Sequence, residues 1–232
     1  MAKAPTVPAR LMAVLTLATG LVEAASLLAL GPVFTGMQTG NVLFLAFGVA
    51  SQDPFSVAAP LTSLGAFTVG ALAGARTEWR LEAHRRRWFV IAVLVEALLV
   101  TVAAVAVWGL EPVRSDPSGR HLAAIAVLSA AMGLRNVTAM RVNVPDMPTT
   151  LVTRAMTAFL AGWLPGHDPL FGRTAGATAR RAASVAAMFA GGIAGAALLR
   201  LDWPPAALLL PAAALALLVA LAYLPLPLLT TR

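Results

Sequence analysis

The chain has no cysteine among its 232 residues, which excludes disulfide frameworks, thiolate metal sites and cysteine nucleophiles. Charge is also scarce: Asp, Glu, Lys and Arg make up 12% of the sequence, whereas apolar residues reach 59%. Soluble domains carry roughly a quarter of their residues charged. With a mean hydropathy of +0.82, the chain belongs in a lipid bilayer. The local patterns of soluble enzymes are missing too. There is no HExxH, phosphate loop, dinucleotide fingerprint or Gly-x-Ser-x-Gly elbow, and His84, His121 and His167 are scattered over loops and helix ends. The sequence therefore reads as no enzyme, with no metal and no cofactor.

The net charge of +7 comes from seventeen Lys and Arg against ten Asp and Glu, with Lys3 the single lysine. These cations do not alternate with aromatics on any polar segment, which argues against nucleic acid as a partner. Anionic lipid and topology control account for them, so the partner implied is the lipid bilayer.

A spanning helix needs about 20 mostly apolar residues. Eight apolar segments occur, roughly Leu11 to Leu30, Val33 to Ala50, Val57 to Ala75, Trp88 to Leu110, Leu122 to Met140, Pro148 to Leu164, Ala182 to Leu199 and Pro204 to Leu226. The second and sixth are short and carry polar clusters. If all eight spanned, basic residues would divide almost evenly between the two sides. If those two enter and leave on one side, Lys3, Arg10, Arg76, Arg80, Arg85, Arg86, Arg87, Arg141, Arg173, Arg180, Arg181 and Arg232 fall inside, and only Arg114, Arg120 and Arg200 fall outside. Short cytoplasmic loops collect Lys and Arg. The fold expected is thus an all-α polytopic membrane protein of six transmembrane helices plus two broken or re-entrant segments, multi-pass in the bacterial cytoplasmic (inner) membrane with both termini cytoplasmic. Val22-Glu23-Ala24 has the small-residue look of a signal-peptide cleavage site, but the apolar run continues to Leu30 and is read as a span.

Self-similarity divides the chain into a first repeat at 10–112 and a second at 121–229. Gly20-Leu21 returns as Gly133-Leu134, Thr39-Gly40-Asn41 aligns with Thr153-Arg154-Ala155, Gly70 and Gly74 with Gly191 and Gly195, and Trp88 with Trp203. Three spans per half is an odd number, so the second copy should be inverted, as in many secondary transporters.

Ionisable groups inside a membrane are costly and face the bundle interior. Glu23 and Arg135 are expected to form an ion pair across the repeat interface, with Asn136 at the position equivalent to Glu23. Glu96 is expected to be structural, having no polar neighbour in sequence. The best site candidate is Thr35, Gln38, Thr39 and Asn41 with Gly36 and Gly40, because an interrupted helix exposes backbone groups that side chains, water or a ligand must satisfy. Capping of the break by its own Thr and Asn side chains is the alternative. Thr149, Thr150 and Thr153 form the matching element, with Arg154 in place of Gly40 making the halves unequal. The glycine stripes are read as packing, and Trp79, Trp88, Trp108, Trp163 and Trp203 as interfacial anchors.

Gly31-Pro32-Val33-Phe34-Thr35-Gly36-Met37-Gln38-Thr39-Gly40-Asn41-Val42, preceded by Gly20-Leu21-Val22-Glu23-Ala24, resembles the signature of the YoaK-like family of small bacterial membrane proteins, domain of unknown function 1275. Ala131-Met132-Gly133-Leu134-Arg135-Asn136 and Thr149-Thr150-Leu151-Val152-Thr153 resemble its second conserved region. The resemblance implies a six-helix membrane protein and supplies no substrate. Glu23 stands where Asp is common in it, and Arg135 where Gln is common. The function expected is a permease for a small-molecule or ion substrate with its site at the repeat interface. The alternative is a non-catalytic scaffold or lipid- or partner-binding protein. An intramembrane lipid enzyme would have only Glu23 and Glu96 as acid or base.

Overall fold

Hydrocarbon offers the backbone no hydrogen-bond partner, so apolar runs of this length must satisfy their amides internally as helices. The computed structural model describes residues 7–51, 56–84, 87–113, 116–144, 149, 153–161 and 175–229. Its helices are α1 (Ala9–Ala25), α2 (Gln38–Val49), α3 (Ala58–Ala83), α4 (Trp88–Ala106), α5 (Gly119–Val142), α6 (Thr153–Ala161), α7 (Ala175–Arg200) and α8 (Ala206–Tyr223). No strand occurs among the described residues. Six helices are long and apolar enough to cross a membrane: α1 with its π-helical last turn Ser26–Leu30, α3, α4, α5, α7 and α8. At 12 residues α2 cannot cross a hydrocarbon core of about 30 Å at 1.5 Å per residue, and the 9 described residues of α6 are likewise too few. They are the two segments that polar clusters set apart in the sequence.

Two local signals set the path between elements. Gly31, at a φ of 131°, lets the chain reverse where α1 ends. Ser118 caps α5 in a capping box with His121, whose other ring nitrogen reaches the Glu111 carbonyl.

Lipid removes most of the hydrophobic drive between helices, leaving van der Waals contact and polar bonds to select partners. The close pairs are α1 with α7 and α8, α5 with α3 and α4, and α4 with α8. Both tightest pairs depend on glycine. A Cβ on Gly20 would lie 2.5 Å from the Met188 carbonyl oxygen and 2.9 Å from the Gly191 Cα, so α1 and α7 touch backbone to backbone. A Cβ on Gly70 would lie 2.6 Å from the Ala130 Cα, and one on Gly133 2.9 Å from the Ala71 nitrogen, at the α3–α5 crossing.

The buried apolar residues form two clusters, one stacked above the other. One holds Leu21, Leu30, Val33, Ala104, Leu128 and Leu209. The other holds Met12, Leu15, Trp88, Val142, Tyr223 and Leu229, so the two described ends of the chain meet on one face. The clusters also show α5 running antiparallel to α1. Thr16, Thr19, Glu96 and Arg135, all buried, lie at the boundary between them.

The expected belt of tryptophans is only partly present. Trp79, Trp108 and Trp203 are more than half exposed, as interfacial anchors should be. Trp88 is a correction: it is 1% exposed, its Nε1 donates to the Leu229 carbonyl, and the Arg141 guanidinium lies 5.6 Å from its ring centroid. Its place at a helix start could not reveal that the chain after α8 folds across it. Trp163 lies outside the described residues.

Candidate functional site

After Gly31 the chain does not continue away from α1 but turns back beside it. Glu23 lies seven residues before Leu30, about 10 Å lower at 1.5 Å per residue, and Thr35 and Gly36 reach it. The Thr35 amide donates to Glu23 Oε2 at 3.1 Å, while the Thr35 hydroxyl and the Gly36 amide donate to Oε1 at 3.1 and 2.6 Å. An extended leg therefore descends into the molecule, and α2 climbs out of it antiparallel to α3. Asn41 faces Ser63 on α3, and Gly48 lies against Ser56 and Val57 just before α3 begins. The second apolar run thus folds back on itself beside α1 and α3, as a short helix after a chain reversal.

Its tip is held by side chains acting as backbone. Asn41 accepts from the Phe34 amide at 2.9 Å and donates to the Phe34 carbonyl at 2.6 Å, replacing the partner that a neighbouring strand would supply. Gln38 donates to the Thr35 carbonyl and lies within hydrogen-bond distance of Asn41 and Ser63. Ser63 bonds the Phe34 carbonyl and is bonded by Ser129 of α5. Three helices thus fasten one turnaround: α1 through Glu23, α3 through Ser63, and α5 through Ser129.

Arg135 is not the partner of Glu23. Its Nε donates to Glu96 Oε2 at 2.6 Å and its Nη2 pairs with Glu96 Oε1, while Nη1 donates to the Leu15 carbonyl at 2.9 Å. The expected Glu23–Arg135 pair is therefore replaced by Glu96–Arg135, joining α4 to α5. Glu96, which lacks a polar neighbour in sequence, finds its partner on another helix. The physical reason is depth. Equal positions along two antiparallel helices lie at mirrored levels, so Arg135 meets α1 at Leu15 and Thr19, below Glu23.

Of the other expected residues, Thr39 is exposed on α2 and takes no part in the cluster. Asn136 is half-buried beside Arg135. In the second half Thr149 is fully buried with a hydroxyl that has no hydrogen-bond partner, Thr153 and Arg154 are exposed, and Thr150 lies outside the described residues. The expected site thus divides: Glu23, Thr35, Gln38 and Asn41 converge, Arg135 joins a separate ion pair, and the second-half threonines do not assemble into a matching cluster among the described residues.

Sequence reasoning missed Ser63 and Ser129. A signal existed, because Ser63 precedes Gly70 by seven residues and Ser129 precedes Gly133 by four, placing each on the face that its glycine marks as packed. It also missed a second charged cluster toward the opposite face. Buried Glu78 accepts from the Thr138 hydroxyl and from Arg141 Nε, and Arg141 Nη1 donates to Glu82 at 2.8 Å. Beyond it, a small cavity of about 10 Å³ is lined by Arg87, Trp88, Tyr223 and Leu229, far from the re-entrant tip. Among the described residues no three His, Asp or Glu side chains converge as metal ligands.

Chemically, the tip presents a buried carboxyl group held by three neutral donors inside an apolar bundle, beside a hydroxyl and amide cluster. No curated protein and no solved structure matches the chain. One family matches over residues 11–222, and the chain belongs to it: Protein of unknown function (DUF1275).

Proposed function

We propose that the protein is a permease for a small molecule or ion, and no enzyme, resident in the bacterial cytoplasmic membrane with both termini inside. The observation that carries this reading is the re-entrant tip. A chain reversal is brought to the middle of the bundle and held there by side chains rather than by helix ladders, and irregular backbone at such depth is tolerated in membranes where it is buried in protein or lines a cavity. Transporter sites are commonly built from such interrupted helices. The two apolar clusters above and below the polar level are what an occluded state requires.

Duplication with inversion supports the same reading. Exchanging α1 with α5, α2 with α6, α3 with α7 and α4 with α8 maps the close helix pairs onto themselves. The exchange carries the Gly20–Gly191 contact onto the neighbourhood of Gly133 and Gly70. It also carries buried Ser63 and Ser129 onto buried Ser184 and Thr16. The cytoplasmic side is assigned from the basic residues, since Arg76 and Arg80 of α3 and Arg180 and Arg181 of α7 share the face where the described ends meet.

One observation favours the alternative, a non-catalytic scaffold: Gln38, Asn41 and Ser63 satisfy one another, as groups that only close a helix break would. Single cysteines separate the two readings, because the chain has none of its own. Ser63→Cys and Ser129→Cys are near-isosteric and sit at positions with 0% exposure. A permease must open this level to water, so a membrane-impermeant thiol reagent should label at least one of them from one side, in intact cells or in inside-out vesicles. His84→Cys and Asp202→Cys, on exposed residues at opposite ends of the bundle, are the positive controls. If both controls label and neither buried position does from either side, the permease reading falls and the scaffold stands.

A further inference from the structure

We infer that the ion this site handles is the proton, and that Glu23 binds it. The inference rests on the permease reading and names its ion. Glu23 is 5% exposed, and every partner of its carboxylate is a hydrogen-bond donor: two backbone amides and one hydroxyl. Hydrogens thus occupy the directions from which a metal ion would need oxygen atoms, since cation sites are built from converging carbonyls and carboxylates. An anionic substrate is repelled by the carboxylate itself. A proton needs neither ligand set, only a carboxylate oxygen.

The charges nearby leave that carboxylate without a counter-ion. On α4 and α5 the groups facing this level are Glu96 and Arg135, which neutralise each other, and Arg135 reaches α1 only at Leu15 and Thr19. α7 carries no charge from Ser184 to Leu199, α2 none from Gln38 to Val49, and α3 none from Ala58 to Ala75. α8 has Tyr223 alone, at its far end in the opposite apolar cluster. The Glu78–Arg141–Glu82 group lies toward that same opposite face. Among the described residues, the interior level around the tip therefore holds one carboxyl group that no cation matches.

Protonation of Glu23 also acts on the loop. When a hydronium ion gives up its proton, an O–H bond forms on one carboxylate oxygen and the hydronium becomes water. The bonds from Thr35 and Gly36 then lose their ionic acceptor, and charge-assisted bonds are about twice as strong as neutral ones. The descending leg then depends more on Asn41, Gln38 and Ser63, and on the Ser26 hydroxyl that donates to the Val33 carbonyl at 2.8 Å. Uptake of the proton loosens the tip, and its release refastens it.

Met37 reports on this, since it lies in the tip, is half-buried and belongs to no part of the cluster. In Met37→Cys protein, the rate of thiol labelling is measured from about pH 8 to about pH 5 and divided by that of Asp202→Cys, because thiolate reactivity itself falls with pH. The normalised rate should rise about tenfold toward low pH, and Glu23→Gln should hold it high at every pH. Glu23→Asp, which keeps a carboxylate and covers the case in which the amide variant fails to fold, should preserve the dependence. A labelled Met37→Cys whose normalised rate ignores pH, or responds to it equally in Glu23→Gln, overturns the proton assignment and leaves the permease reading standing. A tip that labels in no variant at any pH overturns both.

Discussion

The two short elements occupy corresponding places in the chain and are chemically unlike. The first is fastened: Thr35 is bonded to Glu23, and Asn41 takes the place of a backbone partner for Phe34. At the corresponding positions of the second, the Thr149 hydroxyl is buried without a partner, and Ala155, also buried, offers a methyl group where the first has the Asn41 amide. Glu23 itself corresponds to the neutral Asn136. Among the described residues the second element is held instead by Arg181 of α7, which donates to the Ala158 carbonyl at 3.2 Å, so the two short elements differ in which polar side chains fasten them.

The sharpest asymmetry is the ion pair between the halves, because Glu96 and Arg135 correspond to Pro211 and Val22 and have no charged counterparts. Removing one partner of a buried pair leaves an uncompensated charge and costs about 3–5 kcal/mol. Arg135→Gln and Glu96→Gln should each lower thermal stability in detergent by that order. The double variant should recover part of the loss, with a coupling of about 1 kcal/mol or more. Arg135→Gln combined with Glu23→Gln should instead show additive losses, and a strong coupling there would restore the pair expected from sequence.

Next in size is Asn41→Ala, which gives the first element the residue of the second. It strands the Phe34 amide in the interior and opens a small gap, for an expected loss of about 2–4 kcal/mol in the same measurement. Thr153→Ala, on an exposed residue of the second element, should stay within about 0.5 kcal/mol. Equal losses from the two would mean that both elements are fastened alike.

The finest test reverses sign between equivalent positions. Thr35→Val removes a hydroxyl bonded to a carboxylate and should cost about 1.5 kcal/mol. Thr149→Val removes a buried hydroxyl with no partner and should be neutral or stabilising by up to about 1 kcal/mol. Thermal unfolding of the pair under one condition decides it, and two losses of similar size would remove the distinction drawn between the halves.

Much of this architecture was legible beforehand. The six spans follow from run length, and the exclusion of segments two and six follows from where the arginines fall. The break at Gly31 to Asn41 is marked by residues that leave helices readily and can satisfy what the break exposes. Of the tied cluster, Glu23, Thr35, Gln38 and Asn41 were visible as polar residues in an apolar chain. Their partners were not. Ser63 and Ser129 look like ordinary small residues of a packed face until the glycine crossings bring α3 and α5 together. Thr39, as polar as its neighbours, proved to point out of the cluster, because its side of α2 is set by packing on α3.

What the sequence determined by itself was therefore everything that depends on local cost: which stretches enter lipid, which cannot cross it, and where the backbone must find new partners. Length, hydropathy and the energy of exposed amides fix these without reference to the rest of the chain. Which polar groups meet was decided only by the tertiary structure. Arg135 chose Glu96 over Glu23 because antiparallel packing mirrors depth, and Trp88 became a buried donor because the segment after α8 folds over it. Pairings of this kind depend on the rotation and height of one helix against another, quantities set by the close glycine contacts and absent from the spacing of residues along a single chain.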